Sequence, residues 1–422
     1  MNKVSISHPT AILQGEISLE GSKSISNRAL VIQALCSSSF ALGNIANCQD
    51  TEVLMNALNN PDKLVHQMRL AGTASRFLLA YFATRGGTQI LEAEEALKNR
   101  PVAPLIEALK SIGCSIQSIE GNDSFPLRIF PFEAQAKEEI YIKDNVSSQF
   151  ITALLLVAPT LPKGLKIHLP EGQVSKPYID MTLQMMDYFG VEVEKTKFGY
   201  VVPPQNYKAK DLIIEGDWSS ASYYVGMAAL SKKANICLKG LVQNSWQGDA
   251  SVVEIGTVLG VQFFWNESGL NLIKSENDDQ KKNFLELDFS DTPDLFQTMA
   301  VACAGLNING VFSGLETLVY KETNRIKALQ TELVKFQVFL NKMPEKMSKK
   351  SGKTIYFLEG KYVHLEDSKT LETYMDHRMA MSLAMLGVLG KMVINNPEVV
   401  IKSYPKFWND LVRLGFEVFY SE

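Results

Sequence analysis

Cations crowd against hydroxyls or carboxylates at the mouths of several apolar runs in this 422-residue chain. Gly21-Ser22-Lys23-Ser24-Ile25-Ser26-Asn27-Arg28 joins a glycine turn, hydroxyls and two cations directly to an apolar segment. A helix starting there would present unpaired N–H groups and a partial positive charge, so the stretch reads as an anion cradle. The spacing of the nucleotide P-loop is absent. Lys321-Glu322-Thr323-Asn324-Arg325 sets two cations around a carboxylate, Asp376-His377-Arg378 repeats the theme, and Asp294 opens another apolar run. Three further helix starts are weaker signals. In the first, Gly72-Thr73-Ala74-Ser75-Arg76, the arginine could equally be an ion-pair partner. In the second, Arg100 precedes a proline suited to a first helical turn. The third, Ser147-Ser148-Gln149, offers neutral donors and in isolation is an N-cap. Singly, each feature is explained by a cap or an ion pair. Together they set cations and two carboxylates, Asp294 and Glu322, at equivalent places, and charges beside buried helices need partners or ligands. His377, next to Arg378, reads as a structural or phosphate-contacting group rather than a general base.

The elements that position these residues recur. Six segments begin with small or polar residues and continue apolar almost all round, near Ser26, Gly72, Ser147, Ser219, Thr292 and Asp376. A helix without a polar face is buried on all sides. Each is followed by an amphipathic pattern, over 50–58, 101–113, 178–190, 249–260, 321–336 and 405–415, and several of these end in the glycine that helix C-termini favour. Short β-like runs such as LKIHLP, ANICLKG and TIYFLEG lie between them. The repeat predicts an α/β protein of two similar domains, each a ring of sheets around buried helices, with three units before residue 218 and three after it. The N-terminal strand is expected to join the second domain.

Composition sets bounds. A 46% hydrophobic content supports more than one core. The first ten residues lack the apolar stretch of a signal peptide, and no run reaches the roughly 18 apolar residues of a membrane span. A soluble, cytoplasmic protein is expected. The five cysteines are widely spaced with no Cys-x-x-Cys pair, which argues against a disulfide framework and a zinc site. The net charge of −4 disfavours nucleic acid and acidic membranes. The basic run from Lys342 to Lys353 therefore reads as a solvated loop.

The stretches GSKSISNRAL, AGTASRF, RPVAPLIEAL, VSSQFITALL, SKPYIDMTL, EGDWSSASYY, QGD, TPD, KETNRI, DHRMAM and KSYPKFW resemble, in order and broad spacing, the motifs of the EPSP synthase (3-phosphoshikimate 1-carboxyvinyltransferase) family of enolpyruvyl transferases. The resemblance runs from Gly21 to Trp408. It implies a two-domain inside-out α/β barrel, each domain built from three βαβαββ units, with an N-terminal lobe over 21–218 and a C-terminal lobe over 1–20 plus 219–422. The implied active site is the cleft between them. The implied activity is transfer of the enolpyruvyl group of phosphoenolpyruvate to the 5-hydroxyl of shikimate 3-phosphate, releasing phosphate, with no metal or organic cofactor and as a monomer.

Carried over residue by residue, Lys23 resembles the lysine between both substrates. Ser24, Arg28, Ser147, Ser148, Gln149, Ser175 and Tyr178 resemble shikimate 3-phosphate ligands, and Lys321 and Asp294 the groups facing its hydroxyls. Arg100, Arg325, Arg378 and Lys402, with Gly72 and Gln149, match the phosphoenolpyruvate side. Glu322 resembles the proton donor and later acceptor at the methylene carbon, while Asp294 with Lys23 handles the hydroxyl proton. Lys321 and Arg325 would lower the Glu322 pKa, whereas an acid near neutrality needs it raised.

The chain departs from the family between Leu58 and Gly72, which is too short for the strands usual there, so one βαβαββ unit of the first domain is expected to be truncated. Leu70, Phe77, Asn324 and Glu20 also stand where the family favours Asn, Pro, Asp and Pro. Two alternatives follow. The UDP-N-acetylglucosamine enolpyruvyl transferases carry a reactive loop cysteine, but Cys114 lies in an apolar turn without flanking cations and reads as a buried small residue. A degenerate paralogue that binds anions without turnover is the other, against which Lys23, Asp294, Glu322 and Lys402 stand intact.

Overall fold

The computed structural model describes residues 2–142, 147–170, 176–276, 282–344, 346, 353–364 and 370–421. The chain divides into two compact units: a continuous one, residues 21–214, and a discontinuous one made of the residues up to 20 and from 215 onward. The second crossing falls between Ile214 and Glu215, so residues 215–218 do not belong to the lobe expected to end at 218. Local bonding is the reason. Glu215 accepts from the Ser245 hydroxyl at 2.7 Å, Gly216 N–H donates to the Gly240 carbonyl at 2.7 Å, and Asp217 N–H donates to the Glu20 carbonyl at 3.0 Å.

Five four-stranded sheets and one two-stranded sheet are present among the described residues. In the continuous unit, strand Val65–Gln67, helix Gly72–Ala83, strand Gln89–Glu92, helix Ala103–Ser111 and strands Ile116–Ser118 and Leu127–Ile129 make one βαβαββ repeat. Its first two strands pair in parallel and the hairpin adds antiparallel. Strands Glu139–Tyr141, Leu165–His168, Glu194–Thr196 and Gly199–Val202, with helices Ser148–Val157 and Lys176–Tyr188, repeat it. The remaining unit has helices Lys23–Leu35 and Gln49–Leu58 but only the parallel pair Leu42–Gly43 and Leu212–Ile213. Its chain runs from the second helix straight into Val65–Gln67, so this unit lacks a terminal hairpin, as the short segment after Leu58 implied.

The discontinuous unit carries three complete repeats. Strand Lys3–Ser7 lies between Met392–Asn395 and Glu417–Ser421, and Ile12–Ser18 pairs in parallel with Lys233–Lys239. The N-terminal strands therefore belong to this unit. Helices Trp218–Leu230 and His377–Ala384 are buried along their whole length, and Phe296–Gly305 along all but its last residue. Small residues permit such contact: a Cβ on Gly226 would sit 2.5 Å from Met385 Sδ. Among the described residues no helix is long and apolar enough to cross a membrane. Most of the basic run 342–353 lies outside the described residues.

Candidate active site

Three helix or 3-10 starts of the discontinuous unit, and the end of one 3-10 turn, deliver charged side chains to one network. Pro293 opens the turn Pro293–Leu295 and places Asp294 before helix Phe296–Gly305. Asn324 caps helix Arg325–Leu333 by accepting from Lys327 N–H at 3.1 Å. The replacement of Asp by Asn thus keeps the cap, and Arg325, the first helical residue, is 1% exposed. Asp376 caps His377–Ala384 through the Arg378 N–H at 2.8 Å, and Lys402 ends the turn Pro397–Lys402.

Arg325 is the hub. Its Nε donates to Asp376 at 2.8 Å, Nη1 to Asp294 at 3.1 Å and Nη2 to Glu322 at 2.9 Å. Lys402 Nζ reaches the other Glu322 oxygen at 2.8 Å, Arg378 Nη2 reaches Asp294 Oδ2 at 2.9 Å, and Lys321 Nζ lies 3.4 Å from Asp294 Oδ1. Removing Arg325 would leave the fully buried Asp376 without its main cation, at several kcal/mol. Burial pushes the Asp294 carboxyl up, but Arg378, Lys321 and Arg325 together hold it well below the usual carboxylate range. Burial lowers the Lys321 ammonium. Burial also opposes the Arg325 charge, and Asp376, Glu322 and Asp294 outweigh it. Six site residues expected in the C-terminal lobe, Asp294, Lys321, Glu322, Arg325, Arg378 and Lys402, are therefore linked in one network.

In the continuous unit the cations meet mostly neutral oxygens. Arg28, 2% exposed, donates to Thr182 Oγ1 at 2.9 Å, the Ser24 carbonyl at 2.7 Å, the Tyr178 carbonyl at 3.1 Å and Thr152 Oγ1 at 3.5 Å, with Phe77 beneath it. Burial, only partly offset by Tyr178, lowers its pKa to about 10. Lys23 lies 3.4 Å from Asp50. Ser147 caps its helix through the Gln149 N–H, and Ser148 is the first helical residue. The Gln149 side chain accepts from Arg76 at 3.1 Å and donates to Thr73 at 3.0 Å. Arg76 also binds the Gly72 and Pro101 carbonyls. A Cβ on Gly72 would fall 2.5 Å from Arg100 Nη1, so any side chain here would push the neighbouring guanidiniums aside. Ser175 lies outside the described residues.

Sequence reasoning did not single out Asp50, Asp376 or Asp249 as site residues. Each sits at a helix or turn start, where an acid reads as a cap; only the QGD motif could have flagged Asp249. Cys114 is buried and its thiol is pushed up to about 12 by burial, which suits an inert side chain.

The model of the family EPSP synthase (3-phosphoshikimate 1-carboxyvinyltransferase) matches residues 8–60 and 55–411. The two matches meet at the end of helix Gln49–Leu58, where the hairpin is missing. The chain is 40% identical over 415 residues to a 3-phosphoshikimate 1-carboxyvinyltransferase of Bacteroides fragilis (strain YCH46), covering 98% of each. It is 30% identical over 436 residues to one of Erwinia tasmaniensis, covering 96% of this chain and 97% of the relative. In fold it is similar to an EPSP synthase from Acinetobacter baumannii, with a TM-score of 0.76 at 20% identity over the whole of both chains.

Proposed function

Because this chain belongs to the EPSP synthase (3-phosphoshikimate 1-carboxyvinyltransferase) family, we propose that it transfers the enolpyruvyl group of phosphoenolpyruvate to the 5-hydroxyl of shikimate 3-phosphate. Phosphate leaves from a tetrahedral intermediate. The observation that carries the reading is the network in which Arg325 bridges Asp294 and Glu322, each further held by another cation. The reaction needs a proton delivered to the methylene carbon and a proton taken from the attacking hydroxyl. Two carboxylates on opposite sides of one guanidinium suit that division.

In this reading Glu322 protonates the methylene and later recovers the proton, and Asp294 with Lys23 receives the hydroxyl proton. Arg100, Arg325, Arg378 and Lys402, with Gly72 and Gln149, hold the donor. Ser24, Arg28, Ser147, Ser148, Gln149, Ser175, Tyr178 and Lys321 hold the acceptor. Without ligand, the cations that suit a phosphate and a carboxylate are neutralised by the catalytic acids themselves. Binding of anions to Arg378, Lys321 and Arg325 would release Asp294 from the charges that hold its pKa down, making it a better base once both substrates are in place. The same cations stabilise the charge that builds on the departing phosphate. The protein is proposed to work in the cytoplasm.

Phosphorus NMR of the purified protein tests the transfer. Inorganic phosphate and a shifted shikimate-phosphate signal are expected only when both substrates are present. Binding of both ligands without product would instead support the degenerate paralogue.

A further inference from the structure

Asp249 lies in the 3-10 turn Gly248–Ser251, 1% exposed, and has no part in the chemistry above. Its Oδ2 accepts the proton of the Ser219 hydroxyl. The Ser219 oxygen in turn accepts from Arg378 Nη2 at 3.3 Å and from Gln247 Nε2 at 3.1 Å. A hydroxyl has a single hydrogen, so committing it to Asp249 turns its lone pairs toward the two donors. Arg378 also contacts the Tyr223 hydroxyl at 3.5 Å, the Asp294 carbonyl at 3.4 Å and Asp294 Oδ2 at 2.9 Å. The shortest of these is to a carboxylate that the reaction itself uses. Ser219 is therefore an anchor for the guanidinium that does not change its protonation during turnover.

We propose that Asp249 is a positioning residue for the donor: through Ser219 it aligns the Arg378 guanidinium for an anionic group of phosphoenolpyruvate. The inference rests on the reading of Arg378 as a donor ligand. Keeping a carboxylate here is costly, since burial and the nearby Asp294 charge raise its pKa to about 6 despite Arg378 and Ser219. Asp249→Asn preserves an acceptor for Ser219 at the same bulk and without the charge, whereas Asp249→Ala removes the acceptor, so the pair separates loss of charge from loss of the Ser219 contact.

Steady-state kinetics with each substrate varied, alongside thermal melts, test the proposal. Asp249→Ala is expected to raise KM for phosphoenolpyruvate about tenfold, the size of one lost charge-assisted hydrogen bond, with KM for shikimate 3-phosphate unchanged, and Asp249→Asn to restore most of it. Ser219→Ala breaks the same chain and serves if Asp249→Ala does not fold. An unchanged phosphoenolpyruvate KM in a folded Asp249→Ala or Ser219→Ala protein would overturn the proposal, as would equal increases for both substrates with a lowered Tm. Arg378→Gln is the control for the premise. If it leaves the phosphoenolpyruvate KM unchanged, the donor role of Arg378 is what fails.

Discussion

Arg28 and Arg325 are both buried at or near the start of a helix, yet their surroundings are opposite. Arg28 donates to two threonine hydroxyls and two main-chain carbonyls, while Arg325 meets three carboxylates. Burial wins at Arg28, whose pKa falls to about 10; at Arg325 the surrounding acids win and its pKa rises. Neutral oxygens leave the charge of Arg28 uncancelled, as the proposed binding of the acceptor's phosphate would require. Carboxylates cancel the charge of Arg325, and Asp294 among them is held well below the usual carboxylate range by Arg378, Lys321 and Arg325 against its burial. One repeated unit thus presents either a cation among neutral oxygens or a cation among carboxylates, according to which acceptors face its helix start.

Substitution of the two arginines is the strongest way to break this contrast. Arg325→Met leaves Asp376 buried without its main cation and is expected to destabilise the protein by about 3–5 kcal/mol. Arg28→Met leaves neutral acceptors unsatisfied, at about 1–3 kcal/mol. Urea unfolding of both variants measures the difference, and equal losses would mean that the kind of acceptor is unimportant. A smaller effect is expected from Gly72→Ala in the neutral-lined region. The added methyl forces Arg100 and Arg76 to shift, and KM for phosphoenolpyruvate should rise about tenfold, equivalent to the lower end of an overpacking cost. An unchanged KM would remove Arg100 from the donor site.

The smallest effect concerns a carboxylate without a cation partner among the described residues. Glu215 is raised to about 7, chiefly by burial and against its hydrogen bonds from Ser245 and Trp246. A carboxyl raised in the folded state contributes stability that is full below its ordinary pKa and is lost as pH rises through the folded value. The wild-type melting temperature should therefore fall between pH 5 and pH 8 by more than that of Glu215→Gln. Parallel melting curves would show that burial alone does not separate Glu215 from Asp294.

The helices that position both sites were legible in the sequence because an apolar run with no polar face leaves few alternatives to burial. The missing hairpin was legible as well, since the thirteen residues between Leu58 and Gly72 also hold strand Val65–Gln67 and leave too few for two more strands and their turn. Pairing was less accessible. Asp294 meets Arg378 across 84 positions, and nothing in either motif names the other. Asp50, Asp376 and Asp249 were hidden because a helix cap and a counter-ion use the same residue type at the same place, and Asp376 does both jobs at once. The crossing at Glu215 was misplaced because the Glu20 and Gly240 carbonyls that claim Asp217 and Gly216 come from other strands of the fold.

Whether the carboxylate-lined network carries the proton chemistry is tested most directly by single-turnover phosphate release with Glu322→Gln, after calorimetry has shown that both ligands still bind. Loss of a positioned acid is expected to slow release by about 10²–10⁴-fold. Release at the wild-type rate would contradict the account and leave Glu322 as no more than a counter-ion for Arg325 and Lys402.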